Sequence, residues 1–140
     1  MAKVLISDNL APEGVQILKD AGLDVVIKTG LQPDELKKEI KTYDGIVIRS
    51  GTKLTADIIE EADNLKVIGR AGVGLDNVDL DAATKKGIIV MNTPLGNTIS
   101  TAEHTMALIL ALSRNVLQAY ASMKEGKWER KKFMGREIYG

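Results

Sequence analysis

The chain has 140 residues, and 19 Lys+Arg against 19 Asp+Glu leave no net charge to draw in nucleic acid or an anionic membrane. Cysteine is absent, which excludes a disulfide framework, thiolate metal sites and thiol catalysis. The length suits a domain with its own core. The longest fully apolar run, Met106–Leu112, is too short to span a bilayer, and the start lacks the charged and apolar regions of a signal peptide. A cytoplasmic protein with no membrane or nucleic-acid partner is the expectation.

Strand and helix patterns alternate along the chain. Short β-branched runs predict strands at Lys3–Ser7, Asp24–Lys28, Gly45–Arg49, Lys66–Arg70 and Gly87–Met91, of the kind found in a sheet buried on both faces. Between them, helices are predicted over Pro12–Ala21, which stops at Gly22, and over Pro33–Lys41, with Pro33 suited to the first turn. Two more are predicted over Thr55–Ala62, with Thr55 as N-cap, and Asp79–Lys86, with Asp79 as N-cap. A last and much longer helix is expected from Thr98 or Ser100 to Lys124. Repeated β-α units imply a parallel sheet with right-handed crossovers, and the flavodoxin-like order 2-1-3-4-5 is the simplest fit. Ligands of such sheets bind beyond the carboxyl ends of the strands. That rule puts Asp8, Arg49, Ser50, Arg70, Gly72–Gly74 and Asn92 on one rim.

The richest segment is Lys66–Asp79, where a strand runs into Gly69, Arg70, Ala71, Gly72, Val73 and Gly74. Glycines at a strand end let backbone N–H groups approach an anion, and Arg70 adds a fixed charge. Gly72 and Gly74 form G-x-G, but Asn77 holds the third glycine position, and Asn92 stands near where a dinucleotide fingerprint needs an acid. A small-anion site and a plain strand-to-helix turn both stay open. Arg49-Ser50-Gly51 suits phosphate or carboxylate recognition, against the alternative of a surface arginine pairing with a helix carboxylate. Asp8 does not complete a receiver-type acidic pocket, because Arg49 and Asn92 replace the Asp and Lys it needs. His104, the single histidine, has only Glu103 beside it, and i,i+1 side chains on a helix do not face each other. It reads as a histidine satisfied at a helix start or a domain contact, and no metal-spaced pair exists.

The end of the chain is basic, with Lys124, Lys127, Arg130, Lys131, Lys132 and Arg136 around Glu125 and Glu129. Such a run is usually a solvated loop, though Trp128 within it has the character of an interface anchor. Met106–Leu112 is apolar around most of its helix and expects cover on both sides. It is expected to fold back on the sheet as a fifth crossover or to pair with another copy.

Five stretches together resemble the D-isomer-specific 2-hydroxyacid dehydrogenases. They are Val47-Ile48-Arg49-Ser50, Gly69 to Asp79, Met91-Asn92-Thr93-Pro94 with Asn97, Ala102-Glu103, and Lys127 to Phe133. The resemblance covers the whole chain in order, and it is strongest for a member that handles a small phosphorylated acid. It implies a flavodoxin-like substrate-binding domain over residues 1–97. Residues 98–140 would be a long helix and basic arm that open a nucleotide-binding domain. It implies that Arg49 and Ser50 hold the substrate phosphate or carboxylate, and that Val73 and Gly74 offer N–H groups to its carboxylate. Val73 would also lie near the nicotinamide of NAD, with Arg70 and Asn97 as crevice residues. Trp128, Arg130 and Lys131 would reach a neighbouring subunit of a homodimer. The family's cofactor loop and catalytic Arg, Glu and His match nothing here, so an N-terminal fragment without turnover or bound NAD is expected. The alternatives are a free-standing module that senses a phosphorylated hydroxy or keto acid, and an ancestral folding unit.

Overall fold

The computed structural model describes residues 1–139, in two compact units that divide between Gly96 and Asn97. In the first, β1 (Lys3–Ile6), β2 (Asp24–Ile27), β3 (Gly45–Ile48), β4 (Val67–Arg70) and β5 (Ile89–Met91) form one parallel sheet of order β2-β1-β3-β4-β5. The flavodoxin-like arrangement expected from the β-α alternation is therefore present. Between the strands run α1 (Pro12–Asp20), α2 (Pro33–Glu39), α3 (Ala56–Glu60) and α4 (Leu80–Lys85), with a 3-10 turn, Ile40–Thr42, after α2.

Register explains the core. Val26, Leu5, Ile46, Ile68 and Val90 lie side by side across the sheet. Side chains alternate faces along a strand, so this row shares one face with Ile48. It packs against Leu36, Ile40, Ile58, Ile59, Ala62 and Ala83, which brings α2, α3 and α4 onto that face. Burying each of the Val, Leu and Ile side chains contributes roughly 1.5–3 kcal/mol. Tyr43 is buried among them, and its hydroxyl donates to Glu39 Oε1 at 2.7 Å. Burial first, then that bond to Glu39, raises the Tyr43 pKa above its ordinary value.

The opposite face departs from the expectation of a sheet buried on both sides. Ile6 is buried there, but Ile27 and Met91 in the same row are each 54% exposed, and α1 has no buried residue. β-branched runs report strand formation but cannot report which face finds a cover.

The helix starts follow their signals unequally. Asp79 accepts from the Ala82 N–H at 2.9 Å, as an N-cap should. Thr55 occupies the N-cap position of α3 but makes no cap bond; its hydroxyl donates to the Asp57 carboxylate instead.

The second unit corrects the single long helix. It holds α5 (Thr98–Ser113) and α6 (Val116–Lys124), divided at Asn115, which adopts φ 50 and ψ 37. Asparagine tolerates this left-handed conformation better than most residues, and one such residue ends a helix. The basic stretch contains a 3-10 turn, Arg130–Phe133. Gly135 packs against the Ser113 carbonyl and Arg114, where a Cβ would have no room. Arg136 N–H donates to Ser113 O at 2.8 Å, and Asn115 Nδ2 to Met134 O at 3.2 Å. The helix break is thus capped by the tail that follows it.

Candidate functional site

The parallel sheet delivers Asp8, Arg49, Ser50, Arg70 and Asn92 to its carboxyl edge, because each lies at or just past the end of a strand. Ile48 and Arg70 are register partners, so the two arginines leave neighbouring strands at the same end.

The loop after β4 is shaped by its own backbone. Ala71 N–H donates to Ile48 O at 2.8 Å, Gly72 N–H to Arg70 O at 2.9 Å, and Thr93 N–H to Gly72 O at 2.9 Å. Asn92 Nδ2 donates to Val73 O at 2.6 Å. The Arg70 guanidinium folds over Gly72 so closely that a Cβ there would collide with it. Glycine at 72 is therefore what lets Arg70 lie along the loop. Arg70 Nε is buried without a hydrogen-bond partner. Val73 is 39% exposed, Gly74 is exposed, and among the described residues no hydrogen bond uses either N–H. Open N–H groups beside an under-paired guanidinium can take two oxygens of a carboxylate or phosphate.

The loop after β3 is held from two directions. Asp8 Oδ2 accepts from Arg49 N–H at 2.6 Å and from Thr52 N–H at 3.0 Å. Asn77 Nδ2 donates to Arg49 O and Thr52 O, both at 2.6 Å. Arg49 and Ser50 are exposed, and Arg49 Nη1 reaches Asn9 O at 3.4 Å, a weak contact that leaves most of the guanidinium's donors free. A hollow of about 330 Å³ beside this loop is lined by Asp8, Gln32, Gly51, Thr52 and Lys53, among others.

The remaining candidates lie in the second unit. Asn97 precedes α5 and makes no side-chain cap bond. Trp128 is 71% exposed, and with Arg130, Lys131 and Met134 it borders a larger hollow of about 710 Å³. His104 is exposed on α5, and among the described residues no group of three His, Cys, Asp or Glu could hold a metal. No described helix is long and apolar enough to cross a membrane.

Two residues carry more than the sequence suggested. Asn77 reads as a missing fingerprint glycine, and Asp8 as a leftover of a rejected acidic pocket, yet both shape the rim. The available signal was chemical: a polar residue at a turn position inside an otherwise apolar core needs a partner.

The D-isomer specific 2-hydroxyacid dehydrogenase catalytic-domain model matches residues 4–134, and the chain belongs to that family. More particularly, the chain is similar to enzymes named D-3-phosphoglycerate dehydrogenase. It is 57% identical to the one from Homo sapiens over 140 residues, and 54% identical to the one from Archaeoglobus fulgidus over 138. These matches cover 100% and 99% of this chain but 26% of each relative, so the chain spans about a quarter of their length. Among solved structures, NAD+-bound 3-phosphoglycerate dehydrogenase from Entamoeba histolytica superposes with a TM-score of 0.74 at 30% identity, over 98% of this chain and 43% of that one. A Pyrococcus horikoshii protein superposes with a TM-score of 0.87 at 34% identity, over 100% of this chain and 44% of that one. These relatives weigh against a free-standing sensing module.

Proposed function

We propose that this segment is the substrate-binding part of an NAD-dependent D-3-phosphoglycerate dehydrogenase. Such an enzyme converts 3-phosphoglycerate to 3-phosphohydroxypyruvate at the entry to serine synthesis. The observation that carries this is the pairing of Arg49 and Arg70 at adjacent strand ends beside the open N–H groups of Val73 and Gly74. A phosphorylated hydroxy acid has two anionic groups, and the rim offers two places for them. Arg49 and Ser50 take one anion by a charge-assisted bond and a hydroxyl donor. Val73 and Gly74 take the carboxylate, with Arg70 fixed alongside; Asn97 is assigned to the substrate by the family resemblance alone.

NAD, when bound, would accept the hydride from C2. Val73 is the residue of this segment assigned to touch its ring, and an exposed apolar side chain on the rim fits that contact. His104 is assigned no part in proton transfer. Residues 1–97 are read as the substrate-binding domain, and 98–140 as a helical lead and arm into a nucleotide-binding domain. Trp128, Arg130 and Lys131 are read as reaching the second subunit of a homodimer. The exposed Met106, Leu110 and Leu112 support such pairing, since apolar area left in water is unfavourable. A cytoplasmic location goes with this metabolic role.

Thermal melting tests the clamp. A ligand that binds only the folded state raises Tm. 3-Phosphohydroxypyruvate should raise the Tm of this chain, and Arg49→Ala should remove the rise. A rise with NADH and none with the phosphorylated acid would sink the assignment.

A further inference from the structure

The Arg49–Thr52 loop is pinned at the same two residues from opposite sides. Asp8 Oδ2 takes the N–H of Arg49 and of Thr52, while Asn77 Nδ2 gives its two hydrogens to the carbonyls of Arg49 and Thr52. Both backbone groups of both residues are thereby fixed, and Ser50 and Gly51 form the hoop between them. Three further observations agree. A Cβ at Gly51 would come within 2.6 Å of Asp8 Oδ1, so the hoop and the carboxylate are fitted to each other. Asn77 is 9% exposed and its Oδ1 is buried without a partner, so its donors rather than its acceptor account for a polar side chain here. The backbone links between the two loops, Leu54 N–H to Asn77 O at 2.8 Å and Asp79 N–H to Leu54 O at 2.9 Å, lie beyond the hoop; the Thr52 hydroxyl also bonds Ser7, at 3.0 Å to its Oγ, but the backbone groups of Arg49 and Thr52 are held by the two side chains.

We propose that Asp8 and Asn77 are positioning residues: together they lock the Arg49–Thr52 hoop onto the loop after β4, so that Arg49 and Ser50 meet one end of the substrate at a fixed distance from Val73 and Gly74. Neither touches the substrate; each acts through the hoop. The proposal rests on the reading of Arg49 and Ser50 as substrate contacts. A bidentate contact misplaced by an ångström loses most of its value, so a fixed hoop is worth more than a mobile one with the same side chains.

The test uses the 15N-labelled chain, with 3-phosphohydroxypyruvate as the probe and the amide signals of Arg49 and Ser50 as the readout. The parent chain should respond at both. Asp8→Ala should weaken the response by about tenfold, as loss of hydrogen bonds from a charged acceptor does. Asp8→Asn keeps an oxygen that can accept both N–H groups, so it should restore the response. Asn77→Asp keeps the shape and removes both donors. It should weaken the response like Asp8→Ala and speed amide exchange at Arg49 and Thr52, with Ile46–Ile48 unchanged. If Asn77→Asp does not fold, the two Asp8 variants decide alone. Parent-like binding by Asp8→Ala overturns the proposal, as does failure of Asp8→Asn to rescue. Silence of Arg49 and Ser50 in the parent chain overturns the substrate reading itself, and the proposal with it, before any variant is made.

Discussion

Residues 1–96 and 97–139 solve the burial problem in opposite ways. Every fully buried apolar side chain of the described residues, from Val4 to Ile88, belongs to the first unit, whereas the second buries only Ser122. Yet α5 carries the most continuous apolar run of the chain, with Leu108, Ile109 and Leu110 between 44% and 50% exposed. Apolar content alone therefore does not make a core. The first unit lays helices on a sheet whose apolar row interdigitates with them, whereas the described elements of the second are helices and a 3-10 turn.

The sharpest way to break this comparison is to truncate one side chain in each unit. Ile59→Ala, at a fully buried site, should cost about 2–5 kcal/mol in urea unfolding. Leu110→Ala, half exposed, should cost no more than about 0.5 kcal/mol. Equal losses would mean that α5 belongs to a core after all. Next, Gly135→Ala should cost roughly 1–3 kcal/mol, because its Cβ would meet the backbone at Ser113 and Arg114. The loss should appear as faster amide exchange at Asn115 and Arg136 while β1 and β3 stay protected; acceleration in the strands would show that the units unfold together. Asp79→Ala removes a working cap and should cost about 1 kcal/mol, read by urea unfolding, whereas Thr55→Ala, whose hydroxyl caps nothing, should cost less.

The smallest effect is electrostatic. Bonds from Lys28 to Glu39, from the Lys3 backbone N–H to Asp44, from Lys37 to Asp57 and from Lys41 to Glu61 hold these carboxyls below their ordinary pKa, and Lys132 does the same for Glu129. A depressed folded pKa means that the unfolded chain binds protons first as pH falls. Their contribution is complete above the unfolded carboxylate range, about pH 4, and is lost as pH drops through the lower folded values. Tm should fall modestly between about pH 5 and pH 3, less so in high salt, with exchange rising in β1 and β3 before α6. A flat Tm over that interval would remove these pairs from the account.

What was legible follows from how local each signal is. Strand runs, Pro33, Gly22 and the Asp79 cap act within a turn of themselves, and all stand where the pattern puts them. The sheet order follows from the connections. The break at Asn115 was not legible, because the bonds that hold it come from Met134 and Arg136, well beyond the helical pattern. In the rim, arginines and glycines announce an anion by their chemistry. Asp8 and Asn77 do not, since their partners lie 41 and 28 residues away in sequence and are fixed only by the finished sheet.

The break at Asn115 also changes what the second unit can do mechanically. A continuous helix over residues 98–124 would be a strut of roughly 40 Å, carrying a push along its axis from end to end. One left-handed residue makes it a knee. The bonds from Arg136 and Asn115 splint that knee, so its bend is set by the tail rather than left free. Load applied at Trp128 then arrives at α5 as torque on a braced joint rather than as thrust along a rod.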